Sequence, residues 1–375
     1  MTPPNAKSQR RKRIVINALH AKSGGGVTYL QNTLKHFAED EDLEFHIFLH
    51  EDQYDLFAPL PERIHLHLFD FKVDIFGLLL WEQCAVPLLT RLMSADVTFS
   101  PANYGPLLAR RSVVLLRNAL TVMGGERRIR KRLYWAGVAL MTLFSLAASR
   151  RSIAVSQYAR RQLTFGISSL LGTDTAVIYH GVDEGFRIAR TADEDAPFLL
   201  SVSDIYIQKN LHGLVSAMPR IVERYPEIRL KVAGRPNDIE YFERVRRQAA
   251  ALGVTDRIDF LGHCSVETLR DLYSRCKAFV FPSTVETFGN SLVEAMAAGA
   301  PVASSNTAAM PEIAGDAALY FHPQDSEDIA TQVLRILEDP ALAENLSKRG
   351  RERASQYSWE TTAKQTCTVL KAAAG

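Results

Sequence analysis

Cysteine is scarce: four residues, Cys84, Cys264, Cys276 and Cys367, are scattered through 375 positions with no CxxC pair and no Cys/His cluster. That pattern excludes a disulfide framework or a zinc site of local spacing and suits a reducing compartment. Long apolar runs are missing too, since no segment reaches the roughly 18 uninterrupted apolar residues that a spanning helix needs. The run IVINAL after the basic start MTPPNAKSQRRKR is too short for a signal-peptide core. A cytoplasmic protein is therefore expected. Internal repeats and low-complexity tracts are absent, and nucleic acid is not an expected partner. Net charge is only +2 but uneven, because residues 1–180 carry 22 Lys/Arg against 15 Asp/Glu and the remainder carries the acidic excess.

Apolar material is ample. At 47% hydrophobic residues the chain is too long for one ordinary core and sufficient for two. From Arg13 onward, short β-branched runs alternate with longer segments of helical period, the pattern of parallel sheets with crossover helices. Strands are expected at RIVINAL, EFHIFLH, IHLHLF, DVTFS, SVVLLR, SIAVS and AVIYHG, and then at PFLLSVS, IRLKVAG, RIDFLG, AFVFPS, PVASS and ALYF. Helices are expected at 210–224, 239–252, 266–276 and 291–298, with two more from Pro340 to Ala374 broken near Trp359. The expected boundary between two doubly wound α/β domains lies near Gly181 and Gly185, giving domains 1–181 and 182–358 and a last helix, 359–375, that returns to the first domain. Open α/β sheets bind ligands beyond the carboxyl ends of their strands, so functional residues belong in the loops after strands.

Two such loops stand out. After the first strand, Ser23-Gly24-Gly25-Gly26 leads into a helix, where glycines allow close approach of a phosphate to a helix N-terminus. The spacing is neither GxGxxG nor GxxxxGK[ST], and a merely tight turn is the plain alternative. After AFVFPS, the stretch ETFGNSLVE starts a helix near Asn290 or Ser291, with Glu286 before it and Glu294 one turn inside. Free amides there suit a diphosphate, and the flanking carboxylates suit hydroxyl groups on either side of it, the outline of a nucleotide sugar. Ser291 to Glu294 also reads as S-x-x-E, a capping box in which the glutamate reaches back to its own helix terminus.

The segment FVFPSTVETFGNSLVEAMAAGAPVASSNTAAMPEIAGDAALYFHP, with its E-x-F-G-x-x-x-x-E core, resembles the nucleotide-sugar-binding segment of the retaining glycosyltransferases of family four, which have the GT-B fold. SGGGVTYL, IAVSQYARRQL, VIYHGVDEGF, SVSDIYIQKNL, VAGRPND and FLGHCSVETLRDLY extend the resemblance over most of the chain. It implies that Glu286 contacts donor-sugar hydroxyls and Glu294 the ribose, and that backbone amides of Phe288, Gly289, Asn290, Ser291 and Leu292 receive phosphate and sugar oxygens. It implies further that Gly25 and Gly26 close over the phosphates and that Lys209 stabilises the leaving diphosphate. No cofactor or catalytic metal is implied: the substrate is a GDP- or UDP-sugar, with mannose from GDP-mannose the first choice on family frequency. Asp40/Asp42 and Asp193/Asp195 have DxD spacing but sit in acidic, loop-like runs and are not expected to bind metal.

The chain departs from its relatives twice. Many carry an arginine five or six residues before the lysine, where Ser203 and Asp204 stand, and Arg235 is the candidate substitute, with His263 beside the donor. Many also carry a histidine after the strand matching SVVLLR, where Asn118 is placed, and an amide cannot be a general base. His20, His180 and His263 fall at other strand ends and each reads first as a packing residue. A non-catalytic sugar-nucleotide-binding or scaffold protein is the alternative reading, with a GT-B epimerase or phosphorylase behind it.

The basic run Arg127, Arg128, Arg130, Lys131 and Arg132 precedes LYWAGVALMTLFSLAA. This suits a segment lying on an anionic membrane surface, which would make the acceptor a lipid-linked saccharide and the protein peripheral on the inner face of the cytoplasmic membrane. A buried crossover helix with solvated basic ends is slightly favoured, because a doubly wound domain needs a helix there.

Overall fold

The computed structural model describes residues 10–22, 24–72, 74–119, 129–164, 174–191 and 197–375, apart from the side chains of residues 75, 76 and 131. Its thirteen described strands are the thirteen expected ones. The first sheet comprises β1 (Lys12–Asn17), β2 (Leu43–His50), β3 (Ile64–Phe69), β4 (Val97–Ser100), β5 (Ser112–Leu116), β6 (Arg151–Ala154) and β7 (Asp174–Val177), in the order β3-β2-β1-β4-β5-β6-β7. The second comprises β8 (Phe198–Val202), β9 (Arg229–Ala233), β10 (Ile258–Gly262), β11 (Ala278–Phe281), β12 (Val302–Ser305) and β13 (Ala318–Phe321), in the order β10-β9-β8-β11-β12-β13. Every pairing is parallel. Parallel strands covered by helices on both faces read as continuous apolar runs, and every residue of β4, β5, β8 and β11 is buried.

Strand order reverses direction between β1 and β4 in the first sheet and between β8 and β11 in the second. A crevice opens where adjacent strands send their chains to opposite faces. The loops after β1, β8 and β11 are therefore placed by topology at the two switch points, and these are the loops the motifs single out.

The last helix, Trp359–Ala374, leaves the second sheet and packs on the helix Gly25–Phe37 of the first. Tyr29 Oη and Thr366 Oγ1 meet at 3.1 Å, and Lys371 bridges Asp40 at 2.9 Å and Asp42 at 2.7 Å. Its buried face, with Ala363, Cys367 and Leu370, joins a core that runs from Phe99 and Val113 under the first sheet to Phe281 and Met296 under the second. Gly181 is required at this crossing, because a Cβ there would lie 2.1 Å from the Trp359 nitrogen.

The helix Ile129–Ala148 is neither wholly buried nor wholly free. Thr142, Ser145 and Leu146 are buried, while Ile129, Leu133, Tyr134, Leu140 and Phe144 are each at least half exposed. The expectation of a buried crossover helix thus holds only for its inner face. Among the described residues no helix is long and apolar enough to cross a membrane.

Candidate functional site

Between the two sheets lies a cleft of about 340 Å³ lined by Gly24, Gly25, Thr28, Arg117, Asn118 and His180 from the first half. From the second come Val202 to Asp204, Tyr206, Lys209, Phe281, Glu286 to Ser291, and Glu294. A larger hollow of about 650 Å³ near Pro197, Pro301 and Pro340 contains none of the candidate residues.

The second domain's side is built by two loops. After β8 the chain runs through a single 3₁₀ turn, Ile207–Lys209, which ends on Asn210 in the left-handed region at φ 54°. Asparagine tolerates that conformation, and here its amide also donates to the carbonyls of Pro282, at 3.0 Å, and Pro323, at 2.6 Å. Those bonds fix Lys209 against the loop after β11, where its Nζ lies 2.6 Å from Glu286 Oε1. Burial acts to lower the lysine's pKa, but Glu286 and Tyr206 outweigh it and hold the ammonium above its usual range. The cation and the acid that the resemblance assigned to diphosphate and sugar are thus ion-paired to each other.

Gly289 stands in the left-handed region at φ 91°, with the place of a Cβ only 3.2 Å from the Phe281 ring. From it the helix Asn290–Ala297 departs, its first-turn amides directed into the cleft. The capping-box reading fails here: Gly289 is the cap, Ser291 is the second helical residue, and no side chain caps the helix. Glu294 instead accepts from the Tyr273 hydroxyl at 3.1 Å. Burial raises its pKa to about 7, so near neutrality it is poised between acid and carboxylate. Leu292 is fully buried, and only its backbone can serve the cleft.

On the first domain's side, Asn118 is exposed at the cleft, its backbone held by Asn103, which accepts from Asn118 N at 2.9 Å and donates to its carbonyl at 2.7 Å. His180 is a packing residue: its ring lies among Tyr29, Phe288 and Trp359, and Nδ1 donates to Asn290 Oδ1 at 3.0 Å. Burial lowers its pKa to about 4, so it is neutral at physiological pH. His20 meets the buried Glu82 at 3.2 Å, beside Asn17, which donates to the same carboxylate at 2.7 Å.

Two candidates do not reach the cleft. Arg235 and His263 are exposed and absent from its lining. The position before Lys209 supplies no cation either, because Asp204 accepts from the Arg235 amide at 3.1 Å and the Asn237 side chain at 2.9 Å. Gly26 also departs from expectation, since what it faces is the Arg117 guanidinium: a Cβ there would come within 2.3 Å of Nη2. Sequence reasoning passed over Arg117, naming its neighbour Asn118; a lone arginine at a strand end carries no motif. The basic residues Arg130 and Arg132 are exposed at the start of the Ile129 helix, whereas Arg127, Arg128 and the side chain of Lys131 lie outside the described residues.

Asp40 and Asp42 are engaged by Lys371, and Asp193 and Asp195 lie outside the described residues. Among the described residues one group, Glu44, His46 and His65, offers metal-ligand atoms within 4.8 Å of one another. It sits at the amino-terminal ends of β2 and β3, the opposite end of the sheet from the cleft, and Glu44 is already paired with Arg13 at 3.3 Å.

Residues 183–353 match the family described as glycosyl transferases group 1. Over 213 residues the chain is 32% identical to an uncharacterized glycosyltransferase, MJ1607, of Methanocaldococcus jannaschii, an alignment covering 52% of this chain and 54% of that one. Over 180 residues it is 34% identical to the O-antigen chain mannosyltransferase B of Escherichia coli, covering 46% and 45%. The chain thus spans about half the length of these relatives. Its fold is similar to that of Anabaena HepE, solved in complex with UDP-glucose, with a TM-score of 0.74 at 20% identity over 96% of this chain and 99% of that one. Residues 183–353, the second sheet with most of its helices, are thus similar to the glycosyl transferases group 1 family, within a chain of GT-B fold.

Proposed function

We propose that the protein is a retaining glycosyltransferase that moves a hexose, with mannose from GDP-mannose as first choice, to a saccharide or lipid-linked saccharide in envelope polysaccharide or lipopolysaccharide assembly. One observation carries this reading: Lys209, the amino terminus of the Asn290 helix, Glu286 and Glu294 line one cleft at the switch points of both sheets. The helix amides and Lys209 suit the diphosphate, Glu294 the ribose hydroxyls and Glu286 the hydroxyls of the transferred sugar. Similarity to a mannosyltransferase supports the sugar, and a fold neighbour solved with UDP-glucose supports a nucleotide-sugar donor.

In the proposed reaction the acceptor hydroxyl attacks the anomeric carbon on the face from which the nucleoside diphosphate departs. The bond from that carbon to the phosphate oxygen breaks, and the leaving phosphate takes the hydroxyl proton. Lys209 offsets negative charge developing on the departing phosphate, where a preorganised cation is most effective. Glu286 acts as a positioning group for the sugar, and no step is assigned to a protein nucleophile.

An acceptor carried on a membrane lipid fits a feature of the first domain. Leu79 and Leu80, Leu88 and Leu92, Leu108, and Leu133 with Tyr134 are each at least half exposed on adjoining segments. Those segments are tied together where Leu107 N donates to Gln83 at 3.0 Å and Gly105 N to Ser145 at 3.1 Å. Apolar side chains with Arg91, Arg130 and Arg132 nearby suit an anionic bilayer surface.

The test is a thermal-shift panel of GDP- and UDP-sugars, followed by turnover with membrane extracts as acceptor. Stabilisation by one nucleotide with transfer of its sugar is expected. No stabilisation by any nucleoside diphosphate would overturn the reading, and stabilisation without turnover would favour a binding protein.

A further inference from the structure

We propose that Arg117 grips the donor diphosphate from the first domain's side of the cleft, facing Lys209 on the other side. This rests on reading the cleft as the nucleotide-sugar site.

Among the described residues the charge of Arg117 has no counter-ion. Arg117 follows β5 and is firmly built in: its backbone amide donates to Asn103 Oδ1 at 2.9 Å, its carbonyl accepts from the Thr287 hydroxyl across the cleft, and Nε donates to the Pro101 carbonyl at 2.8 Å. Among the described residues no carboxylate lies within ion-pairing distance and neither Nη atom has a hydrogen-bond partner. Burial pulls its pKa down to about 10, so it remains charged at neutral pH. A half-buried guanidinium with no acid beside it carries a desolvation cost that its one bond to the Pro101 carbonyl only partly offsets.

The surroundings make it worse. The guanidinium lies against Gly26, the second residue of the helix Gly25–Phe37, where the helix dipole already places partial positive charge. Gly25 in turn approaches Asn290, its Cβ position 3.9 Å from Asn290 Nδ2, so the amino termini of two helices converge beside Arg117. Lys209 lines the same cleft but is paired with Glu286. Among the described residues two helix termini and a guanidinium with no acid partner meet at this cleft, an arrangement suited to an anion, and a diphosphate satisfies the forked Nη donors bidentately. Gly26 then has a definite duty: it leaves room for the guanidinium.

The experiment compares wild type, Arg117→Gln and Arg117→Lys by calorimetric titration with GDP and UDP and with the matching nucleosides guanosine and uridine, alongside thermal unfolding of the free proteins. If wild type binds no nucleoside diphosphate, the reading of the cleft falls; if wild type binds and Arg117→Gln binds equally well, only the present proposal falls. We expect Arg117→Gln to weaken diphosphate binding by about 30-fold and nucleoside binding by less than about 3-fold, as loss of a charged, forked contact predicts. Arg117→Lys should recover part of the loss. The free Arg117→Gln protein should melt close to wild type, because loss of the bond to the Pro101 carbonyl is offset by removal of a half-buried charge that has no acid beside it. Equal losses for nucleosides and diphosphates, or a marked fall in melting temperature, would show a structural arginine and overturn the proposal; should Arg117→Gln not fold, the diphosphate-selective loss is read from Arg117→Lys.

Discussion

Replacing Glu286 by alanine separates two roles that the free structure ties together. Lys209 and Glu286 are 2.6 Å apart with side chains 14% and 15% exposed, so removing the acid leaves a nearly buried ammonium without a partner. Breaking a fully buried pair costs roughly 3–5 kcal/mol, and because this pair borders an open cleft about 2 kcal/mol is the appropriate expectation. In a domain of this size that lowers the melting temperature by about 4–8 °C. A nucleoside diphosphate then supplies what the mutation removed. Its phosphate replaces the carboxylate as the lysine's partner, so the nucleotide-induced rise in melting temperature should be larger in Glu286→Ala than in wild type, while sugar transfer is abolished. Differential scanning fluorimetry with GDP and UDP, beside a transfer assay, reads both quantities. Wild-type turnover in Glu286→Ala would refute its positioning role, and a nucleotide affinity more than about tenfold weaker, some 1.4 kcal/mol, would show that Glu286 serves the phosphate rather than the sugar.

Other consequences follow from individual groups. Glu294 has its pKa raised by burial from 4.5 to about 7, so the folded protein binds an extra proton between those values and its stability should fall as pH rises through that window. Thermal unfolding at pH 5.5 and 8 should show this in wild type but not in Glu294→Gln. Because the carboxylate is the better acceptor for ribose hydroxyls, nucleotide affinity should rise from pH 6 to pH 8 in wild type and stay flat in that variant, as titration calorimetry would reveal. Gly26→Ala should fold normally, since the clashing atoms are the far end of a side chain, yet weaken nucleotide binding by displacing the Arg117 guanidinium. Binding to anionic liposomes should fall when Arg127, Arg128, Arg130 and Arg132 are replaced together, and unchanged sedimentation would reject the membrane surface.

The sheets were legible because buried parallel strands leave uninterrupted β-branched runs, and the helix after β11 because Gly289 and Asn290 punctuate it. What stayed hidden depended on contacts distant in sequence. The S-x-x-E pattern at Ser291 is a sound local signal, but Gly289 takes the cap and Tyr273 takes the glutamate, and neither choice is visible in four residues. Arg235 lies on the expected strand end, yet its side chain is exposed outside the cleft and it is the backbone amide that meets Asp204. Arg117 was unreadable for the opposite reason: what sets it apart is its contact with Gly26, some ninety positions earlier, and the lack of an acid beside it among the described residues, which no motif records.

Whether this cleft holds a nucleotide sugar is decided by a crystal structure with GDP or UDP bound. The diphosphate is expected within hydrogen-bonding distance of Lys209 and the amides at the start of the Asn290 helix, with the ribose on Glu294. A nucleotide bound elsewhere, or its ribose turned away from Glu294, would contradict it.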